Sequence, residues 1–131
     1  MTQFEKANGT EISERENLAD GVARALTMAG LTAIAREADH DPHTGGALIL
    51  VDPGADTQGG VFVQWEVHPS LSRAASAGAA RGENQSPAFL YFSSIIPQMQ
   101  TVLIAILGAA GFRATDANDD MSPYTIRVEG A

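Results

Sequence analysis

Cysteine is absent from this chain of 131 residues, so disulfide bridges, zinc–thiolate sites and cysteine nucleophiles are all excluded. Basic side chains are scarce: there are 8 lysines and arginines against 16 aspartates and glutamates, and the formal charge is -8. A chain with this charge lacks the basic surface that nucleic acids and anionic lipids attract. We therefore expect neither a nucleic-acid partner nor a membrane partner.

No apolar run is long enough to predict a membrane span. The most apolar one, at residues 94–111, is interrupted by a proline, two glutamines and a threonine, and the first residues of the chain are polar and acidic. We therefore expect a soluble, cytoplasmic protein. The length fits one domain with its own core, which we predict at residues 13–131 after a flexible segment at residues 1–12.

The motifs of familiar enzymes are also missing. No serine lies in the Gly-x-Ser-x-Gly pattern of a hydrolase nucleophile. The glycine pairs at residues 45–46 and 59–60 lack the Lys and the Ser or Thr of a phosphate-binding loop. These absences favour a protein that binds a partner and catalyses no reaction.

The most apolar segment, residues 94–111, predicts the central helix. Its large apolar side chains recur at intervals of three and four residues, with a serine at the start and Gly111 at the end. A first helix is predicted to begin at Ser13, where Ser13 and Glu16 form a capping box. The Ala-rich residues 71–81 predict a third, marginal helix.

Five segments predict strands, because apolar and β-branched residues alternate or cluster between turns rich in Gly, Pro, Asp and Asn. They are residues 31–38, 47–52, 61–68, 112–117 and 124–129. The order of elements is α-β-β-β-(α)-α-β-β, and the short connections between the first three strands predict an antiparallel meander. The predicted fold class is α+β: a two-layer sandwich whose antiparallel sheet of about five strands carries the helices on one face.

The two halves of the chain resemble each other at a shift of 81 residues. Seven residues coincide, among them Leu26 with Leu107 and Gly30 with Gly111. This coincidence predicts an internal repeat of a helix followed by a hairpin. The alternative is chance, because Ala and Gly pairs match easily in a chain so rich in both. The order of elements also resembles that of small acidic secretion-chaperone-type folds and of duplicated helix–hairpin folds, although no motif carries the resemblance.

Histidine and aspartate cluster in the turn at residues 39–46. His40 and His43 lie on this turn, and His68 at the end of a strand could supply a third imidazole for zinc, nickel or manganese. The spacing matches no recognised ligand motif, and Asp, His and Pro are ordinary turn residues. We therefore predict no cofactor. A small metal- or ligand-binding enzyme using these histidines is the alternative function.

A second acidic cluster comprises Asp116, Asp119 and Asp120. Clustered carboxylates can hold a hard cation, but this segment lacks the Gly and the terminal Glu of an EF-hand loop. We interpret the three residues as solvated turn acids.

Apolar side chains exceed what a two-layer domain with one solvated face requires. The surplus lies in the central helix and in the aromatic residues before it. We predict a self-association or partner interface formed by Phe89, Tyr91, Phe92, Ile104 and Leu107. The alternative is that residues 70–92 cover this helix. The predicted function is a non-enzymatic protein-interaction or chaperone-like module, whose partner is a second copy in a homodimer or another protein.

Overall fold

The computed structural model describes residues 9–34, 44–52, 60–82 and 86–130. Five strands in this part of the chain form one sheet in the order β1-β2-β3-β5-β4. The elements are α1 (Gly9–Met28), β1 (Ala33–Ile34), β2 (Gly46–Asp52), β3 (Gly60–Glu66), α2 (Pro69–Ala80), α3 (Pro87–Ala109), β4 (Arg113–Asp116) and β5 (Ile126–Glu129). The predicted α+β class and the predicted order of elements are confirmed.

The sheet carries α1 and α3 on one face. Side chains alternate between the two faces of a strand, and cross-strand partners share a face. Val61 opposite Val128, and Val63 opposite Ile126, therefore point to the same side. On that side they pack with both helices in one buried core, made of Ala19, Val22, Leu26, Ala47, Ile49, Val61, Val63, Leu103, Leu107, Ile126 and Val128.

The pairing of β1 differs from the prediction. β1 runs parallel to β2, with Ala33 opposite Ala47, whereas the other three strand pairs are antiparallel. The sheet is therefore mixed, and the predicted antiparallel meander is wrong at its first step. Parallel neighbours need a connection long enough to return the chain to its starting end, and residues 35–45 supply that length. The alternation of side chains does not encode strand direction.

α1 and α3 end in the same way. Gly30 and Gly111 have φ values of 96° and 100°, in the left-handed region where glycine avoids a Cβ clash. Each end is closed by a 3.0 Å hydrogen bond from the next backbone N–H to a carbonyl five residues back, Leu31 to Leu26 and Phe112 to Leu107. The predicted repeat therefore holds for the two helices and for the glycine turns that end them. It is wrong for the first pair of strands, because β1 and β2 form no hairpin.

Both long helices extend further towards the N-terminus than predicted. α1 includes residues 9–12, so Ser13 lies inside the helix and does not cap it. α3 begins at Pro87, and the Ser86 hydroxyl accepts a hydrogen bond from the Phe89 N–H over 3.2 Å. A serine N-cap followed by proline is a favourable helix start. The aromatic residues before Ser94 are therefore the first turns of α3.

Candidate functional site

α3 is divided into two halves by what packs against it. In its C-terminal half Leu103 and Leu107 are fully buried, and Ile104 and Ile106 pack against the same core. No residue is buried at positions 87–102, the part that we call the N-terminal half although it holds 16 of the 23 residues. Only the C-terminal half therefore belongs to the core that the sheet shares with α1.

The N-terminal half of α3 nevertheless continues the same apolar stripe. At 3.6 residues per turn, four large side chains lie in line with Leu103: Phe89, Phe92, Ile96 and Met99. All four are half-buried. The inward face of α3 thus extends into a region where its side chains are only partly covered.

The partial cover comes from α2. His68 caps this helix, because its Nδ1 accepts a hydrogen bond from the Ser70 N–H over 3.1 Å, and a proline occupies the first turn. α2 packs mainly against α3, and its buried residues are Ala75 and Gly78. Such small residues let two helices approach closely, but they cannot enclose the large side chains of the neighbour. The predicted marginal helix exists, and its composition explains why α3 stays half exposed.

We name the exposed part of this helical pair the hairpin surface. It is formed by α2 and by Phe89, Leu90, Tyr91, Phe92, Ile95, Ile96 and Met99 of α3. Leu90 is 48% exposed and Tyr91 is 63% exposed, so the apolar area reaches around the helix. The sequence of α3 contains no charged residue, and that of α2 contains only Arg73. The hairpin surface is therefore apolar and almost uncharged in a chain of formal charge -8.

The five predicted interface residues divide between the two halves of α3. Phe89, Tyr91 and Phe92 lie on the hairpin surface. Ile104 packs against the core, and Leu107 is fully buried in it, so the assignment of Leu107 to an interface is corrected. Helical periodicity identifies the apolar face of α3, but it does not show which half of that face the sheet covers.

Among the described residues, α3 is the one helix that is long and apolar enough to span a membrane, by length and composition alone. It has 23 residues, and an 18-residue window has a mean hydropathy of 1.5 with 11% of the window buried. The expectation that this apolar segment is too short for a span is therefore wrong. Length and composition are weak support for a membrane span, because many core helices of soluble proteins are equally long and apolar. A spanning α3 would remove Leu103 and Leu107 from the core that they share with α1.

One of the three predicted metal ligands, His68, is described by the structure. Its Nδ1 is occupied by the hydrogen bond that caps α2. His40 and His43 lie outside the described residues. Within the described ranges, no group of three or more His, Asp or Glu side chains could hold a metal ion. The metal site therefore stays a prediction.

Asp116, the last residue of β4, and Asp119 stabilise the turn that follows this strand. The Asp116 Oδ1 accepts a hydrogen bond from the Asn118 N–H over 2.7 Å, and the Asp119 Oδ1 accepts one from the Met121 N–H over 2.9 Å. Both are Asx turns, the ordinary role of aspartate in a loop. The geometry of Asp116 and Asp119 agrees with their interpretation as turn acids, and Asp120 is exposed.

A groove of about 850 Å³ lies on the face of the sheet opposite α1 and α3. Its floor is formed by Leu50, Phe62, Gln64 and Arg127, which alternate along their strands with the residues of the core. Its wall is the segment at residues 117–121 that follows β4. No sequence signal predicts this groove, because it depends on how the loop folds back over the sheet.

Gln64 in the floor is hydrogen-bonded to the residues that follow the wall. Its Nε2 donates to the Ser122 Oγ over 2.7 Å and to the Thr125 Oγ1 over 3.1 Å. Thr125 is 4% exposed, and its hydroxyl in turn donates to the Ser122 carbonyl over 2.8 Å. Both amide hydrogens of Gln64 are thereby used. Its Oε1 has no hydrogen-bond partner in the part of the chain that the structure describes.

The Arg127 side chain in the floor interacts with Phe62 and Glu129. The Arg127 guanidinium lies 5.4 Å from the centre of the Phe62 ring, and its Nε lies 3.6 Å from the Glu129 Oε1. Glu129 therefore offsets the charge of Arg127. Asp119 and Asp120 on the wall are exposed, so the rim of the groove is negative.

Comparison of the chain with protein-family models, with curated proteins and with solved structures found no match.

Proposed function

We propose that this protein is a non-enzymatic protein-interaction module that acts as a homodimer through the hairpin surface. The observation that carries the proposal is the partly covered apolar stripe in the N-terminal half of α3. Broad exposed apolar patches on soluble proteins usually mark interaction sites. Aromatic and Met side chains, which this stripe supplies, are enriched at such sites.

The distribution of charge favours a second copy as the partner. Two chains of formal charge -8 repel each other wherever their acidic surfaces meet. α3 contributes no charge and α2 contributes one arginine, so the hairpin surface is where two copies can approach with least repulsion. A twofold contact places the same patch of each copy against the other.

The extent of the hairpin surface also fits a dimer. A specific interface of ordinary size uses roughly 20–30 residues from each partner. The hairpin surface comprises the 12 residues of α2 and seven residues of α3, close to the lower end of that range.

Sedimentation velocity over a range of protein concentrations tests the proposal. We expect a dimer for the unmodified chain and a monomer for Tyr91→Glu, which places a carboxylate on the hairpin surface of each copy. Tyr91 is 63% exposed, so this substitution should not disturb the fold. The dissociation constant of the dimer should rise at least about tenfold, since buried like charges cost more than 1.4 kcal/mol.

Met121→Glu is the matched control, because Met121 is 93% exposed and lies on the wall of the groove, on the opposite face of the sheet. It adds the same charge and should leave the dimer intact. A monomer at high micromolar concentration would overturn the proposal. So would a monomer that floats with neutral lipid vesicles, since the hairpin surface would then bind lipid.

A further inference from the structure

We propose that the groove on the face of the sheet opposite α1 and α3 docks a basic, extended segment of another protein. One apolar side chain of the segment would rest on the floor, and its Lys or Arg side chains would meet the acidic rim. This site is separate from the hairpin surface, which belongs to the helical layer on the other face of the sheet.

The groove has the size and the floor that a side chain needs. Ligand pockets in proteins commonly measure about 300–1,000 Å³, and this groove measures about 850 Å³. Leu50 and Phe62 are half-buried in its floor, so each presents part of an apolar side chain to an occupant. Covering them would remove apolar area from water.

The groove also contains a rigid hydrogen-bond acceptor. Two hydrogen bonds from the Gln64 Nε2 fix the side-chain amide against Ser122 and Thr125. The Oε1 of Gln64 is left to accept a bond from a donor on the occupant, such as a backbone N–H or an ammonium group. Because the amide is already immobilised, binding costs little further side-chain entropy.

Charge determines which occupant fits. Asp119 and Asp120 are exposed on the wall, and Glu129 offsets the Arg127 charge in the floor. The whole chain carries a formal charge of -8, which attracts cations towards this rim and repels anions. A basic segment is therefore favoured over an acidic one.

Fluorescence anisotropy with a labelled pentapeptide, Lys-Leu-Lys-Phe-Lys-amide, tests the proposal. We expect saturable binding that weakens as salt is added. Replacing the three Lys by Glu in the peptide should abolish binding, and replacing its Leu and Phe by Ser should weaken binding severalfold. The first change removes the contacts with the rim, and the second removes those with the floor.

The protein variants are Asp119→Asn and Asp120→Asn. Asn keeps the Oδ1 that accepts the Met121 N–H, so the turn survives the loss of charge. Each variant should weaken binding about twofold to fivefold, as expected for an exposed ion pair. Asp20→Asn removes the same charge from an exposed position on α1 and should leave binding unchanged.

Equal weakening by Asp20→Asn would show attraction to the net charge alone and would overturn the proposal. Binding of the Glu peptide, or no binding of the Lys peptide, would overturn it as well. Tyr91→Glu should leave peptide binding unchanged. The proposal for the groove and the proposal for the hairpin surface are therefore tested independently.

Discussion

Gly30 and Gly111, 81 residues apart, have nearly the same backbone conformation, with φ values of 96° and 100°. Each ends a helix that packs on the sheet, and each is followed by a residue whose N–H closes the last turn. The chain then enters β1 after Gly30 and β4 after Gly111, which are the two edge strands of the sheet. The two helices are therefore joined to the opposite edges of the sheet by equivalent turns.

Gly108 and Gly111 should respond to the same substitution in opposite ways. Gly108 lies within α3, where alanine is about 1 kcal/mol more favourable than glycine, and a Cβ there meets nothing within 4 Å. Gly108→Ala should therefore raise the free energy of unfolding by about 1 kcal/mol. Gly111→Ala should lower it by about 1 kcal/mol, because φ is positive although the space is open. Urea denaturation measures both.

The Gly30→Ala variant is the check on that pair. The φ of Gly30 is positive, and a Cβ on this residue would also meet nothing within 4 Å. Gly30→Ala should therefore lose as much unfolding free energy as Gly111→Ala. A gain of stability at Gly111 would contradict the assigned role of the two glycines.

Gly46 should be much less tolerant of a side chain than Gly60. Both have positive φ, at 151° and 140°. A Cβ on Gly46 would lie 2.5 Å from the Thr32 carbonyl oxygen, whereas a Cβ on Gly60 would lie 3.6 Å from the Arg127 Nη2, an ordinary contact. Gly46→Ala should cost about 2–3 kcal/mol of unfolding free energy and Gly60→Ala about 1 kcal/mol.

The difference between these two variants isolates the steric clash from the backbone strain. The Thr32 carbonyl accepts the Ala47 N–H over 2.8 Å, so the clash should also loosen β1 from β2. Amide exchange in β1 measures that loosening. Equal losses in the two variants would show that the close approach to Thr32 does not matter.

Removing a buried amide from α3 should stabilise the protein. The Gln100 Nε2 is buried and has no hydrogen-bond partner among the described residues, and such a donor costs about 1–3 kcal/mol. Gln100→Met keeps the length of the side chain and removes the donor. The free energy of unfolding should rise by about 1–2 kcal/mol.

Gln98→Met serves as the control for this substitution. The Gln98 side chain is exposed and donates to the Ser94 carbonyl and hydroxyl, both over 2.8 Å. Its replacement should change the free energy of unfolding by less than about 0.5 kcal/mol. Both variants must be compared at one protein concentration, because dimerisation would make stability concentration-dependent. Loss of stability in Gln100→Met would mean that the amide has a partner in solution.

Local patterns in the sequence predict much of the fold. The alternation through β3, with Val61 and Val63 inward and Phe62 outward, identifies a half-buried strand. The periodicity of α3 and the glycines that follow both long helices identify the helical layer. These signals are local, because each depends only on residues that are close together in the sequence, within one helix or one strand.

The features that the sequence did not predict depend on contacts between distant segments. The direction of β1 is seen only in its pairing with β2, where Ala33 lies opposite Ala47. The exposure of Phe89 and Phe92 depends on the small residues of α2, which pack against α3 without enclosing it. The groove depends on Gln64 bonding to Ser122, a pair 58 residues apart in the chain.

The position of β5 has a consequence for how the chain folds during its synthesis. β5 lies between β3 and β4, although it follows both of them in the sequence. A nascent chain that has left the ribosome only as far as β4 cannot form either of these native pairs. Until β5 emerges, Val61 and Val63 lack their partners on β5, and this edge of β3 is open to chaperones or to aggregation.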